Sequence, residues 1–259
     1  MTEEIRQAFD YTEGGHAQTG ILAWSAAPMV GYTVVGNANI MSSRLAEIPI
    51  LLVDSPLLPH ELLPLRLSEP ASIEMLEHCQ RNGVPFGVCF LREGGDDEPI
   101  PYLIGCTVRI VQQSAGDDGA LNVVLAGEDR FRIRSLNRTA RRYLVARVEP
   151  LVDEPWEYCP QTDWLLTQVR DAFRMFLDIR FGCPELRIEV AFPDDPCTLS
   201  FAVASYLTLD PMQKQRMLEN TNIEERLTEV LRLIEEEALA SVQTARTAIE
   251  EFASLISLN

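Results

Sequence analysis

Apolar positions along the chain change their period near residue 150, and that change predicts two kinds of structure. From Ile48 to Pro150 they come in short runs of strand length, separated by turn residues. Ile48–Val53 (IPILLV) predicts a strand, and Pro56 and Pro59 then punctuate a turn. Proline supplies no backbone N–H, so it sits at strand edges and bends. A second apolar run ends in Pro64-Leu65, so Ile48–Leu67 reads strand, fixed loop, strand. Pro70–Asn82 predicts a helix, with Ile73, Leu76 and Cys79 or Gln80 at helical spacing and Gly83 as the stop. Pro85–Leu91, Leu103–Gln113, Leu121–Leu125, Phe131–Leu136 and Tyr143–Pro150 predict further strands. Glu93–Pro99 reads as an exposed loop. Ala115–Gly119 reads as a hairpin turn, because Asp-Gly favours positive φ. Gly127 marks a bulge or tight bend. Short strands with one inserted helix predict a small closed or partly closed barrel.

Beyond Pro150 the period lengthens. Pro155 and Pro160 flank a linker, and helical spacing begins at Gln161. Trp164, Leu165, Val169, Phe173, Phe176 and Leu177 trace one apolar face, which Gly182–Pro184 ends. Asp195–Leu207 predicts a second helix. Asp210-Pro211 predicts a helix start, since aspartate caps and proline suits the first helical position. Asn222 and Glu225 form a capping-box-like start for a last helix. It carries Ile223, Leu227, Val230, Ile234, Val242, Ala245, Ile249, Phe252 and Leu255 toward Asn259. Residues 1–44 lack such periodicity apart from a weak strand at Tyr32–Val35. They are expected to be a disordered extension, or a mis-assigned start with Met41 as initiator. The expected class is α+β: extension 1–44, β-barrel 45–152, helical subdomain 153–259.

Charge and residue counts narrow the chemistry. A net charge of −17 repels phosphate backbones and argues against a nucleic-acid partner. Arg130, Arg132 and Arg134 alternate onto one strand face, read here as solvated with acidic neighbours. The apolar runs fall short of membrane-spanning length and no secretory signal opens the chain, so a cytoplasmic protein off the membrane is expected. Cys79, Cys89, Cys106, Cys159, Cys183 and Cys197 form no Cys-x-x-Cys pair and read as reduced, mostly buried thiols. His16, His60 and His78 are isolated, and Asp96, Asp97 and Glu98 lack the alternating ligands of a calcium loop. Lys214 is the only lysine. A nucleotide-binding P-loop needs lysine in Gly-Lys-Ser/Thr, and a Ser–Lys peptidase needs it beside a nucleophilic serine. Lys214 stands in Gln213-Lys214-Gln215, with neither. No catalytic, metal or cofactor-binding residue is expected, and the chain reads as a non-enzyme.

Several segments recur together and in order. They are Ile48–Leu67, Ile104–Ile110 (IGCTVRI), Gly127–Ile133 (GEDRFRI), Leu209-Asp210-Pro211, Lys214-Gln215, Leu218-Glu219 and Glu225-Arg226-Leu227. This set resembles the amino-terminal, substrate-binding region of Lon proteases over roughly residues 45–235. The resemblance implies a PUA-like β pseudobarrel with one inserted helix, followed by a C-terminal α-helical bundle with a long last helix. It further implies a stand-alone, non-catalytic protein that recognises unfolded or exposed protein segments. The same resemblance leaves room for a role as adaptor or holdase, with a separate protease or chaperone as a further partner.

A peptide-binding surface is sought first at the proline loop, with Leu57, Leu58, His60 and Leu62 as candidates. The competing reading puts those leucines in the barrel core. Small residues on the last helix (Ala238, Ala240, Ser241, Ala245, Ala248) suit a homodimer or close packing on the preceding helices. The alternative function is a small-molecule-binding or hydrolytic enzyme using the barrel mouth. His78-Cys79 does not supply its nucleophile and base, because neighbours on a helix point in different directions.

Overall fold

A computed structural model describes residues 19–23, 46–92, 100–116, 118–137, 142–181 and 187–257. In chain order the described elements are β1 (Thr19–Ala23), β2 (Ala46–Val53), β3 (Leu62–Leu67), α1 (Pro70–Asn82), β4 (Phe86–Arg92), β5 (Ile100–Pro101), β6 (Ile104–Ala115), β7 (Leu121–Asn137), β8 (Leu144–Pro150), α2 (Pro160–Phe181), β9 (Arg187–Ala191), α3 (Pro196–Ala204), α4 (Pro211–Glu219) and α5 (Ile223–Ser257). They fall into two units. One holds the described residues of Met29–Glu157 and Asp195–Leu227, the other those of Met1–Pro28, Tyr158–Asp194 and Thr228–Asn259. Helices α3 and α4 and the root of α5 thus belong with the strands, and the division does not follow the expected boundary at residue 152.

In the first unit five strands close on themselves. β2 pairs antiparallel with β8, β8 with β7, β7 with β6 and β6 with β4, and β4 returns to β2 in parallel. A parallel closure needs a crossover between its strands, and β3 with α1 provides it. β3 also pairs with β7. Two bulges curl the long β6–β7 ribbon. Between Cys106 and Val108 the partners step from Arg130 to Gly127, so β7 carries one extra residue there. The expected break at Gly127 is this bulge, and the strands expected on either side of it form one strand of 17 residues.

Helix α1 begins with Pro70 at its first position and ends at Gly83, whose φ of +61° is the left-handed conformation glycine adopts freely. It lays Met75, Leu76 and Cys79 on a core with Leu51, Val53, Leu57, Phe86, Val88, Val108 and Leu125. A second cluster gathers Ile48, Ile50, Cys89, Phe131, Ile133, Ala146 and Val148. β2 feeds both, which explains its unbroken apolar run.

In the other unit α2 buries Leu165, Leu166, Val169, Phe173, Phe176 and Leu177. Trp164, expected on that face, is exposed. α5 buries Val230, Leu233, Ile234 and Ala238, and Glu237 pairs with Arg180 of α2. β1 pairs in parallel with β9, Thr19 opposite Arg187 and Ala23 opposite Ala191. Five residues of the expected extension are therefore in a strand. The rest of residues 1–44, with the Tyr32–Val35 strand, and the Glu93–Pro99 loop and Cys183 lie outside the described residues. Among the described residues, no helix is long and apolar enough to cross a membrane.

Candidate functional site

The loop between β2 and β3 is fastened from three sides. Leu57 and Leu58 are 1% and 0% exposed and anchor it from within. The backbone then locks onto the β7 bulge: His60 N–H donates to the Gly127 carbonyl and Gly127 N–H to the Glu61 carbonyl, both at 3.0 Å. A Cβ at Gly127 would lie 2.2 Å from the Leu58 carbonyl oxygen, so only glycine lets the loop settle so close. Leu58 N–H donates to Glu61 Oε2 at 3.0 Å, and Glu61 Oε1 accepts from Lys214 Nζ of α4. The sole lysine is thus a fastener of this loop.

His60 takes a φ of +69°, uncommon for a side-chain-bearing residue. The sharp turn sends Leu58 inward while His60 and Leu62 face out, Leu62 at 51% exposure. Although the His60 ring reaches solvent, the surrounding loop desolvates it enough to hold its pKa below the ordinary imidazole value, against opposing pulls from Asp129 and Asp195. Of the four candidates, burial excludes Leu57 and Leu58 as direct contacts in this conformation, leaving His60 and Leu62. Beyond the loop, Met212 of α4 is exposed and its sulfur accepts from the Tyr102 hydroxyl at 3.4 Å. Tyr102 stacks on Phe90 at 5.1 Å.

The helices of this unit are held to the strands by a charged cluster. Arg226, at the root of α5, donates to Asp153 Oδ1 and Oδ2 at 2.9 and 3.2 Å, to Ser200 Oγ at 2.7 Å and to the Asn220 carbonyl at 2.7 Å. Arg130 of β7 donates to the same carboxylate and to the carbonyls of Leu218 and Asn220 at 2.8 and 2.9 Å. Both guanidinium groups lie over the Phe201 ring. Arg130 is therefore buried, contrary to the solvated face expected for it, while Arg134 does sit outside and pairs with exposed-side Glu149. Burial alone would raise the Asp153 pKa. Hydrogen bonds from Arg226 and Cys197, with the charges of both arginines, outweigh it and hold the carboxyl below the usual range.

Cys197 donates to Asp153 Oδ2 at 2.8 Å, and burial followed by that carboxylate pushes its thiol up to about 12. Burial lifts Cys89 and Cys106 well above the ordinary thiol range. At neutral pH these three are protonated thiols, poor nucleophiles. His78 meets Asn82 through its ring nitrogen at 3.2 Å. Among the described residues no group of three or more His, Cys, Asp and Glu is arranged to hold a metal ion. The Arg130, Asp153, Arg226 and Glu61, Lys214 connections escaped sequence reasoning. Their one signal was the ordered Gly127–Ile133, Lys214-Gln215 and Glu225–Leu227 motifs, whose charged members turn out to join helix to strand.

This architecture can be set beside known proteins. The family described as the ATP-dependent protease La (LON) substrate-binding domain matches residues 47–236, and the chain belongs to it. The Lon protease of Methylocella silvestris is 29% identical over 185 residues, covering 69% of this chain and 22% of that protein. The Lon protease of Escherichia coli K12 is 26% identical over 208 residues, covering 77% and 26%. The chain thus spans about a quarter of the length of these curated relatives. A crystal structure of a Lon N-terminal domain protein from Xanthomonas campestris is 26% identical with a TM-score of 0.54, covering 72% of this chain and 98% of its own. The N-terminal domain of a Mycobacterium avium complex Lon protease shares the fold at a TM-score of 0.57, 19% identity and coverage of 73% and 98%.

Proposed function

We propose that this chain binds unfolded or exposed polypeptide segments at the surface around His60 and Leu62, and neither cleaves peptides nor hydrolyses ATP. The observation that carries the reading is the turn itself. Two leucines, a glycine contact and an ion pair hold it rigid, and it presents an apolar side chain to solvent. A preformed surface spends little entropy on ordering when it binds. Membership of a substrate-binding family supports the substrate class, and a single lysine outside any P-loop or Ser–Lys arrangement supports the absence of ATP hydrolysis and peptide cleavage. The reading extends to a cytoplasmic adaptor or holdase that works with a separate protease or chaperone. The closed strand ring supports a PUA-like pseudobarrel, and the buried faces of α2 and α5 support a helical bundle. Leu239 and Val242, exposed on α5, support a homodimer through that helix. The test is fluorescence anisotropy of a labelled, permanently unfolded protein titrated with the full chain. Saturable binding that is absent with the same protein folded is expected. No binding, or ATP hydrolysis or peptide cleavage by the pure chain, overturns the reading.

A further inference from the structure

Helix α2 carries more apolar surface than its own unit covers. Successive residues turn by about 100° around a helix, so from Trp164 the side chains of Met175, Gln168, Ile179 and Ala172 follow at about 20°, 40°, 60° and 80°. The buried face starts only beyond them, at Leu165. Trp164, Met175 and Ile179 remain 61%, 58% and 37% exposed. The stripe runs about 22 Å along the axis. Tryptophan is enriched among side chains that dominate binding energy, and methionine adapts to varied apolar partners.

The charge beside the stripe selects its occupant. On the side away from the core, Asp171 and Asp178 lie about 20° and 40° from Trp164, and both are exposed. The cations of α2 are engaged within the unit. Arg170 donates to the Pro193 carbonyl at 3.1 Å. Arg174 holds Asp171 at 2.9 Å and lies over the Phe192 ring. Arg180 pairs with Glu237 and lies over Phe176. Among the described residues no cation pairs with Asp178. Arg174 offsets Asp171, so Asp178 carries the uncompensated charge of this border, on a chain of net charge −17. A second copy brings the same acidic border, and an anionic lipid surface is repelled likewise. The complement is a cation.

We propose that the exposed face of α2 docks an amphipathic helix of a partner protein, with lysine or arginine placed to reach Asp178. This goes beyond peptide recognition at His60 and Leu62, and involves none of those residues.

The test uses the full chain and a fluorescein-labelled helical peptide with leucines at i, i+4, i+7 and i+11 flanked by lysines. A control peptide carries glutamate at every lysine. The lysine peptide is expected to bind saturably, and the glutamate peptide about tenfold more weakly or not at all. Joint Trp164→Ala and Met175→Ala substitution is expected to weaken binding about tenfold, and Asp178→Asn about threefold with a flatter salt dependence. Ile179→Ser, a milder change on the same stripe, reports independently should the double variant misfold. Glu74→Gln on α1, outside both surfaces, is expected to leave this peptide's affinity unchanged. Equal binding of both peptides, no binding, or affinity indifferent to the stripe substitutions overturns the proposal. So does self-association in sedimentation that Trp164→Ala and Met175→Ala abolish.

Discussion

Gly127 lies against Leu58 with no room for a side chain: a Cβ there would sit 2.2 Å from the Leu58 carbonyl oxygen. Backbone cannot swing aside as a side-chain tip can. Gly127→Ala is therefore expected to cost about 2–3 kcal/mol by urea denaturation. Gly83 provides the contrast. Its φ is positive but nothing lies within 4 Å of an added Cβ. Gly83→Ala is expected to cost only about 1 kcal/mol. Equal costs at the two positions contradict the steric reading.

The Glu61–Lys214 pair is mostly shielded, with side chains 14% and 16% exposed. Glu61→Gln and Lys214→Met are each expected to destabilise by about 1–2 kcal/mol. A double-mutant cycle should return a coupling of similar size, because each substitution removes the same contact. A coupling near zero means that the loop is held by its leucines and backbone alone.

Asp153 balances two buried arginines, so losing its charge strands both. Asp153→Asn is expected to cost about 3–5 kcal/mol at neutral pH. The sign of the pH effect follows from its lowered pKa. An acid held below its unfolded value near pH 3.9 contributes stability that is fully present above that value. That stability drains away as pH falls through the folded value. The wild type should therefore lose stability below about pH 4 more steeply than Asp153→Asn. Parallel acid limbs in the two proteins contradict this.

His60 titrates with the opposite chemistry. Its pKa is lowered, and the unfolded chain takes up the proton first as pH drops below about 6.5. The folded state then loses stability until pH passes its lowered folded value. Asn tolerates the left-handed backbone at this position better than most residues. His60→Asn should keep the turn and flatten the dependence of thermal stability on pH just below about pH 6.5. An unchanged slope places the titration elsewhere.

The elements with local punctuation were legible in the chain. Pro70 and Gly83 bracket α1, and Asp210 with Gln213 forms the capping box that starts α4. Asn222 accepts from Glu225 N–H at the start of α5, as its spacing implied. What escaped were contacts between distant residues. Lys214 lies 153 residues from Glu61, and Arg226 lies 73 from Asp153. Nothing in residue type distinguishes a buried arginine such as Arg130 from an exposed one such as Arg134. Leu58 and Leu62 look alike in sequence, and the positive φ of His60 between them decides which faces the core. Trp164 fits the apolar spacing of α2, but it sits about 100° around the helix from Leu165, where the arc covered by neighbouring elements starts.

The most direct test places a photo-crosslinking amino acid at position 62 of the full chain, with exposed Glu74 of α1 as the control site. The probe is a permanently unfolded protein. Crosslinking at position 62 that exceeds the control and vanishes with the folded form of the same protein is the expected result. Equal or absent crosslinking at position 62, while the unfolded protein still binds, contradicts the assignment of this turn as the recognition surface.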